Sequence, residues 1–292
     1  MIYIIENDKL KVKVSSMGAE LQSIRRIEDG TEYLWQGDPA YWASRATNLF
    51  PICGRLFDGK YTYNGQTYEM PRHGFAKLQE FAVIRQDTAA LTLQLKENDE
   101  TLAMYPFRFS LEISYVLSGE ALTVTFIVHN HDDKTMHFAV GGHPGFNIPL
   151  EAGKTFEDYY IEFDEPREVK QLCSGDTCFY LEKDAAFPLE DGRILHLHHG
   201  LFDHDAIVLR DTAGGVTLRC ADGKRSVHIS YPDMPYLGLW HKPNSDAPHM
   251  CIEPWMSYPS VDGKVDALET KQAMHSLEPR GVYRNAYTIT FG

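Results

Sequence analysis

Short runs of alternating apolar and polar residues dominate the chain. Such alternation is typical of strands that bury one face and expose the other. The clearest runs lie at 9–16, 90–96, 109–117, 121–130 and 215–222, and a last one closes the chain at 284–291. Many short strands separated by turns indicate a large antiparallel β-sandwich. We also expect the first and last strands to lie side by side in one sheet.

Pairs of Asp or Asn with Gly separate these runs. They stand at 29–30, 58–59, 64–65, 191–192, 222–223 and 262–263. In YTYNGQTYEM, Asn64-Gly65 lies between two arms rich in Tyr and Thr, and this pair favours the two positive φ angles of a type I′ turn. The segment therefore predicts a β-hairpin.

Helical patterns are few and short. Residues 263–277 form the best candidate, and Pro279-Arg280-Gly281 would end that helix. Residues 39–45 and 98–104 predict a turn or two of helix each. Since no internal repeat and no linker rich in Pro, Gly or Ser interrupts the chain, we predict a single all-β domain over residues 1–292 with few short helices.

The composition of the chain excludes several classes of function. The chain has 292 residues, of which 43% are hydrophobic, and this is enough to bury a sizeable core. Its net charge of −13 argues against nucleic acid and anionic membranes as partners, because both attract a basic surface. The sequence shows neither a long uncharged apolar run nor a secretory signal at its start. We therefore expect a cytoplasmic protein with a small substrate.

Cysteines and histidines give little support for a metal or a disulfide. The five cysteines include no CxxC pair. In LHLHHG, His196 and His198 would face one side of a strand, with His199 next to them, but this stretch has no carboxylate or thiol to complete a zinc site. We predict no metal and no cofactor.

Two other histidines stand in similar settings. His73 in PRHGFAK and His143 in GGHPGFN each follow a strand-like run and precede a Gly-Phe pair. Histidine exchanges protons near neutral pH more readily than other side chains. The alternative is that each ring only satisfies a backbone group in the core. Their flanking glycines, which allow close approach of a ligand, favour a functional role.

Glu253 is the best carboxylate for proton transfer. It stands in the apolar run MCIEPWMSY, and burial beside Trp255 would raise its pKa towards that of a general base. An outward-facing strand glutamate remains the alternative. Trp240 and Trp255 offer flat apolar faces for a sugar ring, although tryptophan more often packs in the core.

Three further polar residues could bind a substrate. Arg55, in NLFPICGRLFDG, presents a planar set of donors suited to hydroxyls or a carboxylate. Asp203 and Asp205, in GLFDHDAIVL, could accept hydrogen bonds from substrate hydroxyls, or each could cap its own turn.

The order of these motifs resembles that of the aldose 1-epimerase (galactose mutarotase) superfamily, and within it the LacX-like branch. The chain carries N-x-F-P, G-R-L, G-x-Y-x-Y-x-G, H-G-F-A, G-x-H-P-x-F-N and I-E-P-W in sequence, so the resemblance spans nearly its whole length. The resemblance implies the galactose mutarotase-like β-sandwich, or supersandwich, with an open sugar-binding face. It also implies an enzyme that needs no cofactor and interconverts the α and β anomers of a hexose.

The resemblance also assigns roles to residues. It places the general base on Glu253 and the acid on His143, with His73 and Arg55 binding the sugar. Galactose mutarotases have a D-H-x-F motif where this chain has Asp203-His204-Asp205-Ala206. Counting back from the following strand favours Asp205 as the hydroxyl-binding aspartate, with Asp203 in reserve. We expect a small sugar as the ligand and a monomer or homodimer in solution.

Three alternatives stay open from the sequence. A hexose-6-phosphate 1-epimerase would use added cations, and Arg72 and Lys77 flank His73, but the acidic chain favours a neutral sugar. A non-catalytic carbohydrate-binding protein would not need both His143 and Glu253. A glycosidase would need two carboxylates across a glycosidic bond, and only Glu253 has a suitable setting.

Overall fold

Strands form most of the structure. The computed structural model describes residues 1–175 and 177–292, and the backbone alone of residue 176. In the first half the strands are β1 Ile2–Glu6, β2 Leu10–Ser15, β3 Leu21–Arg26, β4 Ala46–Leu49, β5 Lys60–Tyr63, β6 Gln66–Glu69, β7 Ala82–Gln86, β8 Ala90–Lys96, β9 Phe109–Ser118, β10 Ala121–Asn130, β11 Met136–Phe138 and β12 Gly141–Asn147. In the second half they are β13 Tyr159–Phe163, β14 Lys170–Leu172, β15 Asp184–Ala186, β16 Ile194–His196, β17 Ile207–Arg210, β18 Gly215–Cys220, β19 Ser226–Ser230, β20 Tyr236–Trp240, β21 His249–Trp255, β22 Asp266–Ala267, β23 His275–Leu277 and β24 Val282–Phe291.

Helices are short. The α-helix α1, Asp99–Met104, begins after Asn98, whose side chain accepts from Thr101 N, and this confirms the helical turn predicted at 98–104. Single 3-10 turns occupy Phe57–Gly59, Ala76–Leu78, Phe156–Asp158, Gly175–Thr177 and His199–Phe202. Among the described residues, no helix has the length and apolar character to cross a membrane.

Two large antiparallel sheets pack face to face and form the predicted β-sandwich. One sheet has nine strands in the order β16-β13-β18-β19-β24-β10-β9-β8-β7, and the other has seven in the order β15-β14-β17-β20-β21-β12-β4. Asn48 on β4 donates to the Tyr115 hydroxyl on β9 at 2.9 Å, and Gly142 on β12 lies against Tyr287 on β24. Buried side chains of both sheets join in one hydrophobic core. The all-β fold class is confirmed.

The alternating runs became strands at the predicted places. The runs at 90–96 and 121–130 coincide with β8 and β10, and the others match their strands to within two residues. The predicted hairpin is confirmed as well. Its strands β5 and β6 are joined by Asn64 at φ 47° and Gly65 at φ 74°, as a type I′ turn requires.

The helix predicted at 263–277 is wrong. This segment instead contains β22, which pairs with β5 in parallel, and β23, which pairs with β11. Leu268 N donates to Thr62 O at 2.8 Å, and Ala273 takes a φ of 60°, which an α-helix does not allow. Backbone bonds to neighbouring strands therefore outweigh the local helical preference.

Two smaller expectations also fail. The terminal strands lie in different sheets, because β1 pairs only with β2 whereas β24 pairs with β10 and β19. Residues 39–45 contain one hydrogen-bonded turn and no helix, with Tyr41 N and Trp42 N both donating to Asp38 O. That turn brings Trp42 to the face of the seven-stranded sheet that holds the site described next.

Candidate active site

A pocket opens on the seven-stranded sheet and contains all five residues chosen from the sequence. Its volume of about 280 Å³ is near the lower end for small-molecule sites, which run from ~300 to 1,000 Å³. Its lining includes Trp42, Thr47, Arg55, Arg72, His73, Lys77, His143, Cys178, Tyr180, Asp205, Trp240, Glu253 and Trp255. The structure thus gathers residues almost two hundred positions apart. Asp203 is not part of this lining.

His143 and Glu253 are neighbours on adjacent central strands. In the pairing of β12 with β21, Gly141 faces Trp255 and Gly145 faces Cys251, so His143 and Glu253 lie opposite each other between these pairs. The His143 Nε2 atom is 3.2 Å from Glu253 Oε2. A carboxylate and an imidazole at this distance can exchange a proton.

Glycines beside the two residues make this close packing possible. A Cβ on Gly142 would come within 2.6 Å of the Tyr287 hydroxyl, so only glycine fits between the two sheets there. On β20, Gly238 pairs with Glu253, and a Cβ on it would lie 3.2 Å from the Glu253 Cβ. The glycine before His143 thus lets the strand lie close to the opposite sheet.

Burial shifts the two pKa values in opposite directions. Loss of water, with a smaller contribution from the charge of Asp205, raises the pKa of Glu253 well above its ordinary value. Loss of water lowers the pKa of His143 to about 3. Glu253 is 1% exposed and His143 is 8% exposed. Burial therefore favours the neutral form of both groups.

His73 is held by its own backbone and that of the neighbouring loop. It occupies the third position of a turn closed by Gly74 N and Pro71 O at 2.9 Å, and its φ is 64°. Its backbone N donates to Gly54 O at 2.6 Å, and Gly54 N donates to its Nδ1 at 3.1 Å. Because Nδ1 accepts, the ring proton of the neutral form lies on Nε2. Burial lowers the pKa of His73 well below its ordinary value, so the ring is a neutral donor.

Arg55 and Asp205 form a linked pair in the same pocket. The Arg55 Nη2 atom lies 3.6 Å from Asp205 Oδ2. Asp205 also accepts from Trp240 Nε1 at 2.7 Å and from the Cys178 thiol at 3.0 Å. Its φ of 74° turns the chain sharply just before β17. These contacts hold a carboxylate and a guanidinium on the pocket wall, where both can bind hydroxyl groups.

Aromatic rings surround the reactive pair. Trp42 stacks on His143 with ring centroids 4.8 Å apart, and Trp240 meets Trp42 edge-on at 5.7 Å. Trp255 packs against His73 at 5.6 Å. The sequence identified Trp240 and Trp255 but missed Trp42 and Cys178. Trp42 lies in a loop, where alternation gives no signal, and Cys178 belongs to no CxxC pair or other motif that marks a site.

The histidines of LHLHHG do not form a cluster. His196 is exposed on β16 and contacts Glu190 at 2.7 Å, whereas His199 stacks on Phe156. Among the described residues, the group with metal-ligand spacing is His143, Cys251 and Glu253, whose ligand atoms lie within 4.8 Å of one another. Burial raises the pKa of the Cys251 thiol well above its ordinary value, which disfavours the thiolate that metals bind. We therefore interpret the group as an acid–base pair with a neighbouring thiol.

Comparison with known proteins gives consistent matches over the chain. A family model described as aldose 1-epimerase matches residues 1–267. The plasmid and chromosomal LacX proteins of Lactococcus lactis subsp. lactis are each 35% identical over 294 residues, covering 98% of both chains.

Solved structures agree with this result. A galactose mutarotase related enzyme from Lactobacillus acidophilus is 34% identical, with a TM-score of 0.96 over 100% of this chain and 97% of its own. A galactose mutarotase-like protein from Lactobacillus casei is 31% identical, with a TM-score of 0.95 over 100% of both chains.

Proposed function

Because the chain belongs to the aldose 1-epimerase family and is an isomerase of that type, we propose that its pocket opens and recloses the ring of a hexose. The main support is the buried contact of 3.2 Å between His143 Nε2 and Glu253 Oε2 in a pocket sized for one small ring. A non-catalytic sugar-binding protein would have no use for a buried acid–base pair.

In the proposed reaction, Glu253 and His143 act on two oxygens of one hemiacetal. The Glu253 carboxylate takes the proton of the anomeric hydroxyl while the His143 imidazolium gives a proton to the ring oxygen. The bond between C1 and the ring oxygen breaks, and C1 becomes an aldehyde carbon. After rotation about the C1–C2 bond, both proton transfers reverse and the ring closes as the other anomer. Each such transfer typically contributes about 10²- to 10⁴-fold.

One shared proton is sufficient for this cycle. The pair starts as carboxylate and imidazolium, and it becomes carboxylic acid and imidazole once the ring is open. Burial, which raises the pKa of Glu253 and lowers that of His143 to about 3, favours the second form and so favours ring opening. Hydroxyl groups of a bound sugar would stabilise the first form by donating to the carboxylate.

The remaining polar groups would hold the ring. Asp205 would accept from sugar hydroxyls, Arg55 would donate to them, and the Nε2–H of His73 would donate from the other side. Since Trp240 and Cys178 already fix the Asp205 carboxylate, little side-chain freedom would be lost on binding. The flat rings of Trp42 and Trp240 would cover the apolar face of the sugar.

Anomer exchange measured by NMR saturation transfer tests this proposal, with sugar affinity measured separately by calorimetry. We expect exchange of α-glucose or α-galactose above the rate without protein. Glu253→Gln and His143→Asn should each lower kcat by about 100-fold or more, because each removes one proton transfer, while sugar affinity changes only a few-fold. Arg55→Ala and His73→Ala should weaken binding as well as turnover.

The chain offers a matched control pair at its surface. His196 and Glu190 are in contact at 2.7 Å, with side chains 64% and 62% exposed. Glu190→Gln and His196→Asn should therefore leave exchange unchanged. Wild-type turnover in the Glu253→Gln protein would rule out the mechanism. Sugar binding without any exchange by the wild type would indicate a carbohydrate-binding protein instead.

A further inference from the structure

The indole N–H of Trp255 is a buried donor without a bonding partner. Trp255 ends β21 and is 3% exposed, and its Nε1 atom makes no hydrogen bond with any described residue. Two other tryptophans differ in this respect, because Trp35 Nε1 donates to Trp42 O and Trp240 Nε1 donates to Asp205, both at 2.7 Å. A buried donor that stays unpaired is costly and requires an explanation.

The packing of the ring brings this donor towards Glu253. The two residues stand two positions apart on β21, so their side chains leave the strand on the same face. The N–H edge of the indole lies between glycines of the neighbouring strands. A Cβ on Gly141 would be 3.0 Å from Trp255 Cδ1, and one on Gly238 would be 3.4 Å from Trp255 Cε2. The second of these Cβ positions is also 3.2 Å from Glu253 Cβ, so this edge of the ring reaches the strand position of Glu253.

Trp255 acts on the charged form of Glu253. Burial and the charge of Asp205 raise the pKa of Glu253, whereas the side chain of Trp255 lowers it. An N–H donor has this effect because it stabilises a carboxylate more than a carboxylic acid. Glu253 Oε2 also lacks a hydrogen bond among the described residues, with His143 Nε2 at 3.2 Å. An unpaired donor and an unpaired acceptor therefore lie on one face of the strand.

We propose that Trp255 is a positioning residue of the isomerase, whose N–H bonds to Glu253 while that group is a carboxylate. This inference rests on the proposed function, because it takes Glu253 to be the base. Towards a neutral carboxyl group such a bond is weak, whereas the charge-assisted bond is about twice as strong. The N–H therefore stabilises the form that accepts the proton of the anomeric hydroxyl more than it stabilises the neutral pair, as a contribution to catalysis requires.

A neutral donor suits this place better than a cation. The indole nitrogen only donates, and it carries no charge. A lysine or arginine beside Glu253 would stabilise the carboxylate, but its charge would also oppose the imidazolium of His143, 3.2 Å away from that carboxylate. The charges of Lys77 and Arg72 already act on His143 in that direction. Trp255 stabilises one charge of the reacting pair without opposing the other.

The proposal fixes the direction of two effects. Burial favours the neutral pair, so without the N–H the carboxylate forms less readily and exchange should be slower. Loss of the N–H should also raise the pKa of Glu253, so the pair keeps its last proton to a higher pH and the alkaline limb of kcat/KM moves up. The titratable and charged groups that face the pair stay the same, and they are Arg55, Arg72, His73, Lys77, Asp205 and Cys251.

Two replacements at position 255 test the proposal, namely Trp255→Phe and Trp255→benzothienylalanine, a tryptophan isostere with sulfur in place of the N–H. We expect kcat/KM for anomer exchange to fall by about 10-fold in both, while sugar affinity in calorimetry changes less than about 3-fold. Between pH 6 and pH 10, the alkaline limb should move up by about 1 unit. Because the isostere keeps the shape of the indole, its result does not depend on how well phenylalanine packs.

A direct measurement and a control accompany these rates. The infrared band of the Glu253 carboxylic acid, identified by its loss in Glu253→Gln, should titrate at a higher pH in both variants than in the wild type. In the control Tyr236→Phe, a hydroxyl is removed from the residue that pairs with Trp255 on β20. Since Tyr236 lies outside the pocket lining, its replacement should leave the exchange rate and the infrared titration unchanged.

The outcomes separate this inference from the function on which it rests. Exchange by the wild type with equal kcat/KM in both Trp255 variants would overturn the role of Trp255 and leave the epimerase function standing. Slower exchange with an unchanged alkaline limb and infrared titration would overturn it too, since the ring would then only support the fold. A loss of sugar affinity as large as the loss of kcat/KM would assign the N–H to the sugar instead. Absence of exchange by the wild type with every sugar would overturn both proposals.

Discussion

Replacing His249 by phenylalanine should make the protein less sensitive to acid. His249 begins β21 and is 0% exposed, with its ring stacked on Trp35 at a centroid distance of 4.4 Å. Neither of its ring nitrogens has a hydrogen-bond partner among the described residues. Burial, with a smaller contribution from His241, lowers its pKa to about 3. The folded protein therefore keeps this ring neutral at pH values where an unfolded chain protonates it.

The sign and size of the effect follow from proton linkage. In the unfolded chain a histidine titrates near pH ~6.5. The stability that depends on a neutral His249 is thus complete above that pH and is lost as the pH falls towards 3. At pH 5, which is about 1.5 units below the pKa in the unfolded chain, protonation of His249 after unfolding lowers the free energy of unfolding by about 2 kcal/mol. At pH 7.5 this effect is close to zero. Phenylalanine keeps a stacked ring and binds no proton.

Urea unfolding at pH 7.5 and pH 5.0, followed by tryptophan fluorescence, measures this difference. Between the two pH values, the free energy of unfolding should fall by about 2 kcal/mol less in His249→Phe than in the wild type. Any packing strain from the larger ring cancels, because it is present at both pH values. So do the contributions of the buried His73, His143 and His241. In the control variant His198→Phe, solvent reaches the replaced side chain in both states, so the pH response should equal that of the wild type.

An equal loss of stability in His249→Phe and the wild type would refute the reasoning. It would mean that His249 takes up its proton in the folded state as easily as in the unfolded state.

Three further predictions concern a thiol, metals and the unfolding of the whole chain. Burial and Asp205 raise the pKa of Cys178 to about 11, so iodoacetamide at pH 7.5 should alkylate it far more slowly than a free thiol, and rapid labelling seen by mass spectrometry would contradict this. Protein treated with a chelator should keep full activity in the exchange assay, and activity that is lost on chelation and restored by zinc would refute the proposed chemistry. Residues 1–292 should unfold in one calorimetric transition, and two separate transitions would show two domains.

Alternation predicted the strands well where one face is buried and the other is exposed. The run at 121–130 is such a strand, and its boundaries in the structure are the same. Alternation could not show which strands pair with each other, because pairing depends on contacts between residues that are distant in sequence. The failed helix at 263–277 has this cause, since Asp266 pairs with Tyr61 and the buried Lys271 contacts the Asp266 carboxylate at 3.5 Å.

The candidate site was partly visible in the sequence. Glu253 was noticed because a charge in an apolar run predicts burial, and it is 1% exposed. The unusual neighbours of His73 and His143 also gave a signal, because glycines mark close backbone contacts. His249 gave none, since every residue of β21 is buried and alternation disappears on such a strand. The places of Trp42 and Arg72 in the pocket lining depend on how loops fold over the sheet, which local patterns do not encode.

The groups that carry the proposed chemistry and those proposed to bind the sugar come from different parts of the fold. His143 and Glu253 are fixed on neighbouring strands at the centre of a sheet, whereas Arg55, His73 and Asp205 lie on the segments that connect strands. Substitutions in these connections can change which sugar is bound without moving the proton-transfer pair. After duplication of such a gene, one copy could therefore gain specificity for a new sugar through successive single substitutions. The encoded protein would remain an active isomerase after each substitution.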